Sequence, residues 1–204
     1  LPSFKSIDYI GCKGSKPYLR GYPCGLWTLF HALSVSHYLN PHPGDAPDSV
    51  AHALNRFVPR FFSCTHCAHN FAAETANIAR PGEAVFLPRY NGRTERENQS
   101  LDSDTRISEL PAKPTSPAGE VLWLNLVHNS VNRRTASLAS SDPEAPKTIF
   151  PTPDLCLACW SSYELARSQV NPWEVRPDQQ NILLNFLVAR FTESNWSYIS
   201  FPSQ

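Results

Sequence analysis

The sequence has no excess of charge, few glycines and no apolar segment long enough to cross a membrane. Its eighteen basic residues balance eighteen acidic ones and no basic stripe stands out, so nucleic acid is not an expected partner. The most apolar run, NILLNFLVARF, is interrupted by Asn185 and predicts one buried helix. Eight glycines stand against nineteen prolines, which indicates long, stiff connections between compact elements.

A methionine and an apolar signal segment are missing from the opening LPSFK, so we expect a processed chain or a fragment. The 204 residues are enough for one domain with a sizeable core. Sequons at Asn98 and Asn195, together with an even number of cysteines, favour an oxidising environment. The expected location is therefore the secretory pathway (Golgi or ER lumen) or the extracellular space.

Strand-like alternation is also missing, and the apolar spacing predicts an all-α chain. Asp48 and Ser63 are the expected N-caps of the second and third helices, and Asp154 that of a short turn near the end. The predicted main helices run from Tyr22 to Tyr38, from Asp48 to Phe61, from Ser63 to Ile78 and from about Glu120 to Leu138, with a last helix from about Asp178 to Phe191.

Residues 81–118 are rich in proline, arginine, glutamate, serine and threonine and contain few apolar residues. Such a composition cannot bury enough apolar surface to offset the entropy of ordering the chain. We therefore expect a long, exposed, irregular insertion within a single domain that spans residues 1–204.

Six cysteines are present, and they allow fifteen disulfide connectivities. The segment FFSCTHCAHNF contains Cys64 and Cys67, which could form a redox pair, half of a zinc site or a structural staple. With Ser63 as N-cap, both cysteines would lie in the first turns of a helix. There, unpaired N–H groups and the helix dipole stabilise a thiolate, which favours thiol–disulfide exchange.

The other two interpretations of this pair are less favoured. A zinc site would need two more ligands, and the second CxxC pair, Cys156 and Cys159, begins 89 residues after Cys67. A CxxC disulfide closes a very small loop and so adds little stability. No βαβ pattern surrounds the motif, which disfavours a thioredoxin-like fold. A redox pair on an all-α scaffold is the favoured interpretation.

The predicted helices also offer a surface that could bind a flat ring. Trp27 and His31 are i, i+4 neighbours on the first helix, and the fourth helix carries His128, Asn129 and Asn132. A tryptophan and a histidine on a helix are most often core residues. Buried asparagine amides, however, require partners, and a ligand rich in donors and acceptors could supply them.

Four segments in order, RGYPCGLWTLFH, FFSCTHCAHNF, VLWLNLVHNSVN and PKTIFPTPDLCLAC, resemble the Erv/ALR family of flavin-dependent sulfhydryl oxidases. The similarity is closest to the domain of quiescin sulfhydryl oxidases and covers roughly Gly11 to Cys159. It implies a four-helix bundle with a short fifth helix that holds FAD, to which this chain adds a C-terminal helix and the insertion. It also implies an FAD-dependent thiol oxidase that forms disulfides in protein or dithiol substrates and gives hydrogen peroxide.

The resemblance implies roles for individual residues. Cys64 would be the outer interchange cysteine, and Cys67 the inner one beside the flavin. Asn70 stands where relatives often carry a histidine or an acid, and Phe150 where an indole is common. The expected cofactor-binding residues are Arg20, Trp27, His31, His66, Asn70, Asn125, His128, Asn129, Val131, Asn132, Lys147 and Phe150.

Cys12 with Cys24 would form an accessory disulfide and Cys156 with Cys159 a second CxxC disulfide, and no metal is expected. The partners implied are molecular oxygen and thiol-containing proteins, reached through a thioredoxin-like domain elsewhere in a longer chain. The bundle could also pair with itself or with a sister domain. The alternatives are a non-catalytic secreted helical module stapled by disulfides and a zinc-binding interaction domain.

Overall fold

A computed structural model describes residues 12–83, 111–136, 138, 141–160 and 177–195. No strand occurs in these ranges, and the predicted all-α class is confirmed. The five α-helices are α1 (Gly21–Leu39), α2 (Ser49–Phe61), α3 (Thr65–Glu74), α4 (Pro117–Thr135) and α5 (Pro177–Phe191). Short 3₁₀ turns cover Ala76–Ile78, Leu157–Cys159 and Glu193–Asn195.

Helices α1 and α4 form the central pair, with α5 packed against both and α2 packed against α1, α3 and α4. Helix α1 is buried on two sides because Phe30 enters one apolar cluster and Val35 enters another. The first cluster contains Phe30, Ala51, Leu54, Val58, Phe71, Ile78, Trp123, Leu124 and Val127. The second contains Val35, Val121, Leu183, Leu184 and Leu187.

Three large apolar residues of α1 and α2 lie on the surface. Leu33 is 43% exposed, Phe57 39% and Phe61 69%. On α2 the buried face is formed by Ala51, Leu54 and Val58, and the rings of Phe57 and Phe61 contact each other on the outer side, 5.3 Å apart. None of the described helices combines the length and apolar character of a membrane-crossing helix.

Two helices begin at residues other than those predicted. Helix α3 starts at Thr65 with Cys64, not Ser63, as its N-cap, and the Cys64 Sγ accepts a hydrogen bond from the Cys67 N–H. Helix α4 starts at Pro117, because the Ser116 side chain accepts from the Gly119 N–H and proline suits the first turn. Residues 117 and 118, which the sequence placed in the insertion, therefore belong to α4.

The N-terminus of α2 is stabilised by residues that lie far away in the sequence. Asp48 occupies the predicted N-cap position, but its carboxylate binds the Arg80 guanidinium at 2.7 and 2.8 Å and the Lys113 ammonium at 3.2 Å. Glu120 of α4 accepts the hydrogen bond of the Ala51 N–H instead, at 2.8 Å. Arg80 directly precedes the predicted insertion and Lys113 lies near its end, so the two ends of the insertion meet at Asp48.

Helices α3 and α4 also end before the predicted Ile78 and Leu138, at Glu74 and Thr135, and two further points concern the insertion and the last turn. Residues 84–110, including the sequon residue Asn98, lie outside the described residues, and the exposed insertion stays a prediction. The turn that carries the second CxxC pair is a single 3₁₀ turn with Cys156, not Asp154, at its N-cap.

Candidate functional site

A disulfide joins Cys64 and Cys67 at the start of α3, with 5.2 Å between the two Cα atoms. Cys64 is the N-cap with an extended backbone, and its Sγ lies 3.3 Å from the Cys67 nitrogen. The first N–H groups of a helix have no partner within it, and its dipole adds about half a positive charge at that end. Both side chains are half-buried. A thiolate released here would therefore be stabilised in a pair that remains partly open to solvent.

The second cysteine of this pair shares a helix face with a buried aromatic ring. Cys67 and Phe71 are i, i+4 neighbours on α3, and such residues lie one above the other. Phe71 is buried, and its ring centroid lies 6.3 Å from that of Trp27 on α1. Cys64 precedes Phe71 by about two helical turns, so both cysteines lie on the side of α3 that carries this buried ring.

Trp27 begins a cluster of flat rings contributed by three helices and one loop. Its indole is stacked on the His128 imidazole of α4, with centroids 4.2 Å apart and planes 6° from parallel. His31, one turn after Trp27, has its Nε2 atom 3.0 Å from the His128 Nδ1 atom. Phe191 of α5 is stacked on His31 at 4.7 Å and 11°.

The two histidines of the cluster are neutral near pH 7. Burial lowers the pKa of His31 from 6.5 to about 3. Burial, followed by the electrostatic influence of His31 and Lys147, lowers the pKa of His128 well below the usual value. One neutral ring therefore donates to the other. The buried Nδ1 atom of His31 has no hydrogen-bond partner among the described residues, so it can bond to a group held in the site.

Asn125 and Asn129 hold the backbone of the loop that contains Phe150. The Asn129 amide donates to the Phe150 carbonyl at 2.7 Å and its Oδ1 atom accepts from the Phe150 N–H at 2.8 Å. Asn125 donates to the same carbonyl at 3.1 Å. The sequence argument expected a ligand to supply partners for buried amides, but here the chain itself supplies them. The consequence is a fixed position for the Phe150 ring, 6.0 Å from that of His31.

Two cations lie beside the rings. Arg20, the N-cap of α1, has φ 62°, a left-handed conformation that is rare outside glycine, and its guanidinium binds the Lys13 carbonyl. Lys147 is exposed as a whole, but partial loss of solvent around its ammonium, and then the Arg20 guanidinium, lowers its pKa. The buried Asp142 carboxylate acts electrostatically on both and binds the N–H and hydroxyl of Ser15.

The other predicted site residues lie on the same helices. Asn70 donates to the His66 carbonyl at 2.8 Å, and both follow Cys64 on α3. Val131 and Asn132 follow His128 on α4, and Asn132 is buried. The structure thus brings Trp27, His31, His128 and Phe150 into ring contact, and the remaining predicted residues lie on α3, on α4 and on the two loops.

Some residues of the site were missed by the sequence argument, which treated α5 only as a helix that closes the core. Phe191 extends the stripe formed by Leu183 and Leu187 at helical spacing. The spacing of this stripe indicates that the Phe191 ring packs inward, but it does not indicate which residue the ring contacts. Asp142 gave no signal, because its role depends on Ser15, 127 residues away.

The other four cysteines are paired as well. Disulfides join Cys12 to Cys24 and Cys156 to Cys159, with Cα–Cα distances of 5.5 and 5.4 Å. All six cysteines lie among the described residues, so none is left as a thiolate ligand for zinc. Within the described part of the chain, no group of three or more histidine, cysteine, aspartate or glutamate residues is arranged to hold a metal ion.

Comparisons with known proteins connect this geometry to a family. The sequence profile of the Erv1 / Alr family matches residues 24–86, which include most of α1 and the CxxC pair of α3. Sulfhydryl oxidase 1 of Rattus norvegicus is 32% identical over 195 residues, 94% of this chain and 21% of that protein. Sulfhydryl oxidase 2 of Homo sapiens is 35% identical over 159 residues, 75% of this chain and 18% of that protein.

Among solved structures, the sulfhydryl oxidase fragment of human QSOX1 is similar, with a TM-score of 0.61 and 34% identity. The match covers 94% of this chain and 60% of that fragment. The chain thus spans about a fifth of the length of the sulfhydryl oxidases it matches, by the shares of 21% and 18% given above. The similarity extends over α4 and α5 as well as the part matched by the family profile.

Proposed function

Because the chain belongs to the Erv1/Alr family, close to the quiescin sulfhydryl oxidases, we propose that it is an FAD-dependent thiol oxidase. It forms disulfides in protein or dithiol substrates and passes the electrons to oxygen, which gives hydrogen peroxide. The observation that carries this proposal is the Cys64–Cys67 disulfide at the N-terminus of α3, which Phe71 connects to the stacked Trp27 and His128 rings.

The residues of the ring cluster fit FAD in shape and charge. Trp27 and His128 offer flat surfaces, and the buried Nδ1 atom of His31 offers a hydrogen bond. Arg20 and Lys147, two cations close enough to interact, suit the negative charge of a pyrophosphate. When bound, the flavin supplies the acceptance of two electrons and the reaction with dioxygen. The remaining proposed site residues, His66, Asn70, Asn125, Asn129, Val131, Asn132 and Phe150, would line or support the site.

Substrate oxidation begins at the outer cysteine. A substrate thiolate attacks the Cys64 Sγ atom, a sulfur–sulfur bond forms to Cys64, and the Cys64–Cys67 bond breaks. The electron pair of the broken bond leaves on Cys67 as a thiolate. The helix N-terminus stabilises this thiolate, which makes Cys67 the better leaving group.

The second substrate thiolate then attacks the sulfur bound to Cys64, which closes the substrate disulfide and releases the Cys64 thiolate. The substrate has now lost two electrons and the enzyme pair has gained them. With FAD bound, Cys67 would be the sulfur from which the two electrons leave the pair, and the Cys64–Cys67 bond would re-form. Because the His31 and His128 rings are neutral near pH 7, neither of them places a positive charge in this part of the site.

The proposed partners follow from the same chemistry and from the length of the relatives. Thiol-containing proteins would be the substrates, brought by a thioredoxin-like domain elsewhere in a longer chain, with molecular oxygen as acceptor. Three disulfides favour the secretory pathway or the extracellular space. Pairing of the bundle with itself or with a sister domain is part of the same proposal.

The direct test is the visible spectrum of the purified protein, followed by oxygen consumption with dithiothreitol. We expect a flavin spectrum and stoichiometric formation of hydrogen peroxide. A colourless, well-folded protein that consumes no oxygen after incubation with FAD would instead indicate the non-catalytic, disulfide-stapled module. Loss of structure on addition of a chelator would indicate the zinc-binding domain.

A further inference from the structure

We propose that Phe191, the last residue of α5, is a positioning residue that holds the His31 ring in the orientation needed for FAD binding. Helix α5 would then be part of the cofactor site and not only a helix that closes the core. The inference rests on the proposed function, because it concerns binding of that cofactor.

The Phe191 ring supports His31 in a way that no other described ring does. The two rings are 4.7 Å apart and 11° from parallel. The rings of Trp27, His128 and Phe150 are tilted to His31 by 39°, 43° and 51°. Of the described ring contacts of His31, the contact with Phe191 is the one that is close to parallel. The Phe191 ring therefore covers one face of the imidazole. Such a contact resists rotation of the ring about its χ2 bond.

The orientation of the His31 ring matters because its two nitrogens do different things. Nε2 lies 3.0 Å from His128 Nδ1, and Nδ1 is buried without a partner among the described residues. A rotation of the ring would move Nε2 away from His128 and would point Nδ1 in another direction. His31 is 1% exposed, so water could not replace the lost hydrogen bond. A ligand that bonds to Nδ1 would bind more weakly to a ring that samples several orientations.

Phe191 is itself held rigidly enough to do this. Leu183, Leu187 and Phe191 repeat at four-residue spacing on one face of α5, and both leucines are buried against α1 and α4. The hydrogen bond from the Thr192 N–H to the Val188 carbonyl extends the helical pattern past Phe191. The ring therefore stands at the end of an anchored stripe.

The same helix provides a matched control. Phe186, five residues before Phe191, is also half-buried and packs against the same apolar cluster. Its described ring contact is with Phe150, at 5.9 Å and 57°. Phe186→Leu and Phe191→Leu therefore remove the same atoms from the same helix, and only the second removes the parallel contact with His31. Phe191→Tyr keeps the ring.

The experiment compares these three variants with the wild type as deflavinated full-length chains, titrated with FAD and followed by flavin fluorescence. We expect Phe191→Leu to bind FAD about fivefold or more weakly, and Phe191→Tyr to bind within about twofold of wild type. Phe186→Leu should also stay within about twofold, although both leucine variants lose thermal stability. In the apoprotein, ¹⁵N-histidine NMR should show the His31 nitrogen signals altered in Phe191→Leu and not in Phe186→Leu.

Equal FAD affinities for Phe191→Leu and Phe186→Leu, or unchanged His31 signals in Phe191→Leu, would overturn the inference. So would a Phe191→Leu protein that fails to fold while Phe186→Leu folds, because the role of Phe191 would then be structural. A wild-type protein that binds no FAD would overturn the proposed function itself, which separates the two failures.

Discussion

The two CxxC disulfides of this protein have the same spacing, and their Cα–Cα distances are 5.2 and 5.4 Å, yet their surroundings differ. Cys64 and Cys67 stand at the N-terminus of the ten-residue helix α3, on the side that carries Phe71. Cys156 and Cys159 stand on a single 3₁₀ turn between the exposed Leu155 and the half-buried Trp160. A 3₁₀ turn of three residues has almost no dipole to stabilise a thiolate. The comparison predicts that the pair at the start of a full helix is the redox-active one, although the two pairs have the same spacing.

The largest expected effect is a loss of turnover that occurs in variants of one CxxC pair and not in variants of the other. Cys64→Ser and Cys67→Ser should each abolish oxygen consumption with dithiothreitol, because the exchange needs both sulfurs. Cys156→Ser and Cys159→Ser are the matched controls and should retain most of the turnover. If Cys156→Ser abolished turnover of this small dithiol, catalysis would have to be shared between the pairs.

The next effect concerns the stability that a disulfide adds, which grows with the loop it closes. The Cys12–Cys24 disulfide spans 12 residues and ties the N-terminal loop to the first turn of α1. Its removal by Cys12→Ser and Cys24→Ser should cost about 3 kcal/mol of unfolding free energy, against about 2 kcal/mol for the Cys156–Cys159 pair. Thermal or urea unfolding measures both. Flavin content and turnover should largely survive, and a folded Cys12/Cys24 variant without oxidase activity would contradict the accessory role.

Acid should lower the stability of the ring cluster that contains His31 and His128. The pKa of His31 falls from 6.5 to about 3 on folding, and that of His128 falls well below 6.5, so the unfolded chain binds protons that the native protein does not. Stability is therefore full above about pH 6.5 and is lost as the pH falls from there toward 3. Between pH 7 and 5.5 we expect a loss of about 1 kcal/mol from His31 and a further loss in the same direction from His128.

Chemical unfolding at the two pH values measures this loss. His31→Phe is the control, since it should remove the His31 part of the pH dependence without adding a titrating group. A pH dependence that is the same in wild type and His31→Phe would contradict the assignment of a buried neutral His31.

The smallest expected effect comes from the insertion. Its ends are tied together by Arg80 and Lys113 on Asp48 and by the hydrogen bond from Asn77 to the Pro111 carbonyl. Replacing residues 85–110 with a short glycine–serine linker should therefore leave flavin content unchanged. A shortened protein that folds but does not hold FAD would show that the insertion contributes to the site. Asp48→Asn, by contrast, should lower thermal stability in both backgrounds.

The helices could be predicted from the sequence because their apolar spacing is a local signal, and each predicted helix exists within a few residues of its expected ends. The start of α3 was less accurate, since Cys64 and not Ser63 is its N-cap, and Asp48 is the predicted N-cap of α2 but Glu120 accepts the hydrogen bond there. Both differences depend on contacts that form only in the folded chain.

For the candidate site, the resemblance gave a set of residues without their contacts. It could not show that Asn125 and Asn129 bind the Phe150 backbone, nor that Phe191 covers His31. These contacts join α4 and α1 to a loop and a helix far away in the sequence. Periodicity identifies which residues are buried, but the partner of a buried ring is decided by the packing of whole helices.

The central claim is that Cys67, inside the first turn of α3, faces the flavin and that Cys64, the N-cap, does not, as the resemblance to the family implies. An unpaired thiolate beside oxidised flavin donates charge into the ring and gives a broad long-wavelength absorbance. The decisive measurement is the visible spectrum of the two serine variants with FAD bound. We predict that Cys64→Ser, which frees Cys67, shows this band and that Cys67→Ser binds FAD without it. A band in Cys67→Ser and none in Cys64→Ser would reverse the two roles, and failure of both folded variants to bind flavin would contradict the redox account of the Cys64–Cys67 pair.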